Sequence, residues 1–377
     1  MKNESDGVYI LKKIGKLNRL WLLCFAPAAL ILNLAATSGA GFAEWYAVTV
    51  YPYLSRAVNL TTSLFPFSLA EILVVAFFIS IIFSLIIYVI KIIRGKGKRR
   101  EIAARCIATI LCTISVLYFS FTVSCGINYS RYTFARTSGL EVRPSSKEEL
   151  TALCYKLAEE VNTLRKQVGT DGRQVMRLQT DLYETGRQAR EAYDKIHIQY
   201  PLLTPGYGVP KLLLSSRLFS YGNITGIFIP FTFEANINKD VPDYIIPATM
   251  CHELSHLRGF MREDEANFIG YLVCKSSGNP DFEYSGYMSA LVYASNALYG
   301  TDREAASGVY AKLSSGVLRD LTDNTEYWKK FEGPVSETVN AVNDTYLKVN
   351  HQEDGVKSYG NMVDLLLAEY RASHQNH

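Results

Sequence analysis

Unbroken apolar runs dominate the first third of the chain, from about Leu20 to Ala36, Leu69 to Ile93 and Cys106 to Ile127. Each approaches the ~20 residues that a helix needs to cross ~30 Å of hydrocarbon. The second run holds Val74, Val75, Phe77, Ile79, Ile82, Leu85 and Ile86, with no charge between Glu71 and Lys91, and predicts a membrane span. The first has an alternative reading as a cleavable signal peptide, because Lys12, Lys13, Lys16 and Arg19 precede it and the small residues Ala36, Ser38 and Ala40 follow. After Ile127 the pattern changes. Residues 128–144 turn polar, with Arg131, Arg136 and Arg143, and read as a linker. Apolar residues then recur every three or four positions at Leu150, Leu153, Leu157, Val161 and Leu164, predicting an amphipathic helix, and Ser145 and Glu148 stand at capping-box spacing before it.

A less regular helix is expected from about Asp181 to Ile198, and Pro201 to Pro210 forms a loop. Between Gly222 and Asn238, the β-branched and aromatic residues Ile224, Ile227, Phe228, Ile229, Phe231 and Phe233 form the best strand candidate, and Pro230 suits a sheet edge. Helical spacing returns from Tyr284 to Leu298 and from Val335 to Tyr370. The expected organisation is a membrane region over 1–127 with three transmembrane helices, a linker over 128–144 and a soluble domain over 145–377.

Charge orients this layout. The formal net charge is +3, and Lys and Arg crowd the ends of apolar runs, which fits membrane topology rather than a nucleic-acid partner. Basic residues lie in the N-terminal segment and in the second loop (Arg94, Lys96, Lys98, Arg99, Arg100, Arg105), whereas the first loop has only Arg56. That asymmetry predicts a cytoplasmic N-terminus, a multi-pass membrane protein and an extracytoplasmic C-terminal domain. The first-loop aromatics Trp45, Tyr46, Tyr51 and Tyr53 fit an interfacial belt or packing on the soluble domain equally well. The seven cysteines form no CxxC pair; one disulfide among Cys154, Cys251 and Cys274 is left open.

The segment from Cys251 to Phe268 reads CHELSHLRGFMREDEANF and contains HExxH as His252, Glu253 and His256. Histidines four apart share one face of a helix and can bind one tetrahedral Zn2+, with Glu253 beside them as general base. Pro247 suits the start of that helix and Gly259 its end. A third ligand is needed, and Arg262 to Asn267 supplies three acids after the turn. Glu263 is the first choice, at the start of a second helix, with Glu265 the alternative and Asp264 third; Asn267, four residues on, is positioned to orient a ligand. Tyr284 and Tyr287 are candidates for stabilising an oxyanion.

HELSH followed by E-x-x-A-N resembles the gluzincin branch of zinc peptidases. The resemblance implies zinc ligands at His252, His256 and Glu263 and a general base at Glu253, although Asn267 stands where an Asp is usual and only six residues separate His256 from Glu263. HELSHLRG also resembles the metzincin pattern in spacing, but Arg262 occupies the place of its third histidine. Nearly end to end, through NITGIFIPFTFEANIN at Asn223, the HELSH block and YSGYMSAL at Tyr284, the chain is similar to a bacterial family of membrane proteins known as a domain of unknown function. The implied fold is mainly α: N-terminal transmembrane helices, then a zincin-like α+β metallopeptidase domain with a small sheet.

The leading expectation is hydrolysis of a peptide or protein substrate near the outer membrane face, in a chain whose other partner is the lipid bilayer. The alternative is a non-catalytic metal-binding sensor or structural membrane protein. Intramembrane proteolysis is disfavoured by the charges Glu253, Arg258, Arg262, Glu263, Asp264 and Glu265 within the motif.

Overall fold

The computed structural model describes residues 19–95, 97–350 and 362–375. Of the basic residues that set the expected orientation, Lys12, Lys13, Lys16 and Lys96 lie outside the described residues. The described chain is mainly helical, with two small sheets. Three helical stretches are long and apolar enough to cross a membrane: Leu20–Thr37, Leu69–Arg94 and Arg99–Ser124. The first comprises a 3-10 turn, Leu20–Cys24, and helix α1, Phe25–Thr37. It is followed by α2 (Ala40–Thr49), α3 (Tyr51–Thr62), α4 (Leu69–Arg94) and α5 (Arg99–Ser124). The third candidate span thus begins earlier than its apolar run, because Arg99 to Arg105 continue the helix.

Polar groups fasten α1 to α5. Ser115 Oγ accepts the Ala26 N–H at 2.8 Å and donates to the Leu22 carbonyl at 2.8 Å, while Asn33 donates to Tyr118 at 2.9 Å and Thr122 at 3.2 Å. In a hydrocarbon setting such groups gain most by bonding one another. Helix α4 is different: only Ala70, in its first turn, is buried.

The rest of the chain forms α6 (Phe134–Ser138), α7 (Lys147–Leu164), α8 (Leu182–Ile196), α9 (Ser216–Ser220), α10 (Ile246–Leu257), α11 (Glu263–Lys275), α12 (Pro280–Thr301), α13 (Arg303–Tyr310), α14 (Ser315–Lys329), α15 (Pro334–Val349) and α16 (Met362–Gln375). A hairpin pairs β1 (Gly169–Thr170) with β2 (Met176–Arg177). A three-stranded sheet has the order β3 (Lys211–Leu212), β5 (Glu234–Ile237), β4 (Gly226–Ile229), with β3 parallel and β4 antiparallel to the central β5. The stretch expected as one strand, Gly222 to Asn238, forms both β4 and β5: β4 is the edge strand and stops at Ile229, and the chain turns from Pro230 into β5.

Two expectations are corrected. Residues 128–144 are not a free linker: Asn128, Tyr129, Arg131 and Phe134 are buried. The Arg131 charge is matched by Glu44 at 3.3 Å and by the face of Phe260 at 4.1 Å, which allows it to leave water. The capping box of α7 lies one residue later than expected. Ser146 Oγ accepts the Glu149 N–H at 3.2 Å, and Glu149 accepts the Ser146 N–H at 3.0 Å.

Trp45 and Tyr53 are exposed, whereas Tyr46 and Tyr51 are buried in a core shared with α10 and α11. Helix α3 is tied to the sheet. Asn59 Nδ2 donates to the Phe233 carbonyl at 2.7 Å, and its Oδ1 accepts the Gly208 N–H at 2.7 Å. Lys211 Nζ donates to the Thr62 carbonyl at 2.7 Å and also to Glu234. Glu234 in turn accepts the N–H groups of Leu69 at 3.2 Å and Ala70 at 2.7 Å, capping α4 from the central strand. Asn59→Ala leaves two buried backbone groups without partners, an expected loss of about 2 kcal/mol or more. The thermal midpoint of the full chain should fall by about 5 °C; an unchanged midpoint would show that this tie contributes nothing.

Candidate metal centre

Helix α10 carries HExxH and ends in a turn that redirects the chain. The Gly259 N–H bonds the His256 carbonyl at 2.9 Å, and the Phe260 N–H bonds the Ser255 carbonyl at 3.2 Å. Gly259 has φ +86°, and a Cβ there would lie 3.1 Å from the Tyr51 ring, so both conformation and space call for glycine. Tyr51 also donates to the His256 carbonyl at 3.2 Å. The turn starts α11 at Glu263 facing back along α10.

Three ligand atoms converge there. His252 Nε2 and His256 Nε2 are 3.1 Å apart, and the Glu263 carboxylate lies 3.3 Å from the first and 3.5 Å from the second. Donors about 2.1 Å from one tetrahedral ion stand roughly 3.4 Å from each other, so the spacing fits a zinc-sized ion. Among the described residues this is the one such group of three. His256 Nδ1 lies 2.8 Å from the Phe260 carbonyl, which can only accept, so Nδ1 carries a proton and, once the ring is neutral, the Nε2 lone pair faces the cluster. His252 Nδ1 is buried without a hydrogen-bond partner among the described residues. Two imidazoles and one carboxylate suit zinc and leave a fourth position open.

Glu253 is buried against β4. Its carboxylate accepts the Phe228 N–H, and a Cβ on Gly226 would lie 2.7 Å from Glu253 Oε1, so glycine permits the close approach of strand and helix. The outward direction of the Phe228 N–H follows from the ladder. The Asn238 N–H bonds the Thr225 carbonyl at 2.9 Å, so the bonded antiparallel pairs fall at alternate residues, and Gly226 and Phe228 turn their backbone groups to the free edge. Burial raises the Glu253 carboxyl pKa, while the two histidines and the Phe228 N–H oppose this. For His256, burial favours the neutral ring, but Glu263 and Glu253 outweigh it and push the pKa up to about 9. Burial alone would raise Glu263, yet both histidines hold it well below the usual carboxylate range.

The remaining candidates lie elsewhere. Glu265 does not join the cluster: its Oε1 accepts the Phe134 N–H at 2.8 Å and an Arg262 N–H at 3.1 Å, anchoring the segment after α5. Asp264 is half-buried, and burial, then Glu265, push its pKa to about 6. Asn267 hydrogen-bonds Tyr293 of α12. The oxyanion assignment to Tyr284 and Tyr287 is not met. The Tyr284 hydroxyl donates to Asp320 at 2.5 Å, in a buried group completed by Arg165 at 2.6 Å and the Met176 N–H at 2.8 Å, and Tyr287 pairs with Tyr271. Sequence spacing placed both on α12 without giving their direction. Tyr293, whose pKa is raised by burial and then by the Glu263 charge, is the α12 tyrosine beside the cluster. All seven cysteines are free.

The family model described as "Protein of unknown function (DUF3810)" matches residues 46–367. The chain belongs to this family. The matched range begins in α2 and extends over the later candidate spans and the histidine cluster. No curated protein and no solved structure matches the chain.

A metal binding at this cluster would have to displace the His256 proton. Because His256 is protonated below about 9, apparent zinc affinity should rise with pH, by about tenfold per unit between roughly pH 6.5 and 8.5, and then level off. Chelator competition measures this; a flat profile would contradict ligation through His256 Nε2.

Proposed function

We propose that the chain is a membrane-anchored zinc metallopeptidase whose metal is held by His252, His256 and Glu263. The observation that carries this reading is the convergence of these three donors at tetrahedral spacing, with the buried Glu253 carboxylate beside them. Bound there, zinc supplies Lewis acidity toward a carbonyl and toward water. The chain's own residues do the rest. The Phe260 carbonyl holds His256 in the ligating tautomer, and the raised proton affinity of Glu253 equips it to take a proton from water and deliver it to the leaving amine. Apart from the Phe228 N–H, which Glu253 holds, the outward-facing backbone of β4 offers main-chain pairing to an extended peptide. Arg94, Lys98, Arg99, Arg100 and Arg105, at the turn between α4 and α5, support a cytoplasmic turn and a catalytic domain on the opposite face.

A metal-binding sensor is the second reading, favoured by the bonds that tie Glu234 and Glu71 of the two parts across the start of α4. Full-length protein separates the two. Wild type and Glu253→Gln should each hold about one zinc per chain and His256→Ala almost none, with peptide-library cleavage by wild type and a loss of about 100-fold or more in Glu253→Gln. Zinc retained in His256→Ala would overturn the site, and zinc without cleavage in wild type would favour the sensor. Gly226→Ala should keep its zinc but lose about tenfold or more in rate, since its methyl group displaces Glu253. Full activity in that variant would remove Glu253 from the place assigned to it.

A further inference from the structure

An apolar rim surrounds the start of α4. Leu64, Phe65, Leu214, Leu218 and Phe231 are between 41% and 80% exposed. Three separate segments bring them together. Leu64 and Phe65 lie in the short connection that enters α4 at its cap, Ser68. The Leu214 and Ser215 N–H groups donate to Glu71, in the first turn of α4, at 2.9 and 3.0 Å, so this segment and Leu218 on α9 run beside that turn. Phe231 adjoins Thr232, whose carbonyl accepts from Thr62 at 3.2 Å. Residues 57–70, 212–216 and 222–233 contain no charged side chain, and the exposed Arg217 beside Leu218 is a cation at the edge of the rim. The Glu71 carboxylate that enters this surface is satisfied by backbone donors. Beyond Ala70, α4 buries no residue among the described ones, and the rim lies around its first turn.

The metal centre is held close to the same level. Cys125, the first residue after α5, places its Sγ 3.6 Å from Met261 Sδ, two residues before Glu263. Ile229 pairs with Glu234, the residue that caps α4, and Gly226 beside Glu253 is three residues away along β4, about 10 Å. The outer ends of two spans therefore bracket the cluster.

We propose that this rim seats the domain in the lipid leaflet on its own side of the membrane, and that the metal centre acts on juxtamembrane segments of membrane-anchored chains. The seating stands on the rim alone, because an exposed apolar surface beside the start of a span, with a basic residue, Arg217, at its edge, partitions into the interface with it. The substrate class rests on the peptidase reading: an edge strand fixed near the bilayer meets extended chain within reach of its span and excludes bonds far above it.

Wild-type full-length protein in phosphatidylcholine vesicles containing a lipid with a photoreactive diazirine high on its acyl chain tests the seating. Lipid adducts are expected within 212–218 and 229–233 as well as in the spans; adducts confined to Leu20–Thr37, Leu69–Arg94 and Arg99–Ser124 would overturn it. Co-reconstituted single-span reporters then test the substrate class, with a mixed-sequence segment starting about 5 or about 30 residues beyond the span, roughly 17 or 100 Å of extended chain. The near segment should be cut about tenfold faster than the far one or than the same library free in solution. Equal rates would overturn the juxtamembrane class while leaving a peptidase. Cleavage of none of them would remove the peptidase reading and the substrate class with it, leaving the adducts to decide the seating.

Discussion

A carboxylate removed from water costs several kcal/mol unless donors meet it, and the buried and half-buried acids of this chain dictate how its parts fit together. Glu234 binds Lys211 and the first two N–H groups of α4; Glu71 binds the backbone of Leu214 and Ser215; Glu44 binds Arg131 and the Tyr132 N–H; and Glu265 binds Arg262 and the Phe134 N–H. The bonds of Glu234 to Leu69 and Ala70, of Glu71 to Leu214 and Ser215, and of Glu265 to Phe134 join a segment next to a candidate span to the domain that carries the cluster. Glu253 differs. It is buried and receives the Phe228 N–H, its Oε2 has no partner among the described residues, and burial raises its proton affinity. A group left under-solvated beside two histidines and a carboxylate is suited to proton transfer rather than to holding the fold.

These bonds make the first loop and the cluster one physical unit. Tyr51 supports both the Gly259 turn and the His256 carbonyl, so the geometry of the ligand helix depends on a residue about two hundred positions away. The same contacts run from the start of α4, through Glu234, to the central strand that carries β4.

The parts legible in the sequence are those encoded by local periodicity. Apolar runs mark the candidate spans, the histidine spacing fixes one helical face, Gly259 announces the turn, and an acid at the next helix start supplies Glu263. Pro230 likewise marks the edge strand. What was not legible depends on contacts between distant segments. The polar stretch 128–144 reads as a linker until Glu44, Phe260 and Glu265 receive its Arg131 and Phe134 groups. Tyr284 and Tyr293 both lie on α12, and only the packed structure shows that the first hydroxyl belongs to Asp320 and that the second is beside Asn267 and Glu263. Composition could have directed attention to Gly226, an isolated glycine within a strand pattern, as a place where another element approaches closely.

The central claim concerns which atoms hold the metal, and zinc X-ray absorption on the full-length protein addresses it most directly. The expected spectrum has two imidazole nitrogens at about 2.0–2.1 Å, oxygen ligands at about 2.0–2.2 Å and no sulfur, with one imidazole lost in His252→Ala. A sulfur shell near 2.3 Å, or a spectrum unchanged in that variant, would contradict a centre built from His252, His256 and Glu263.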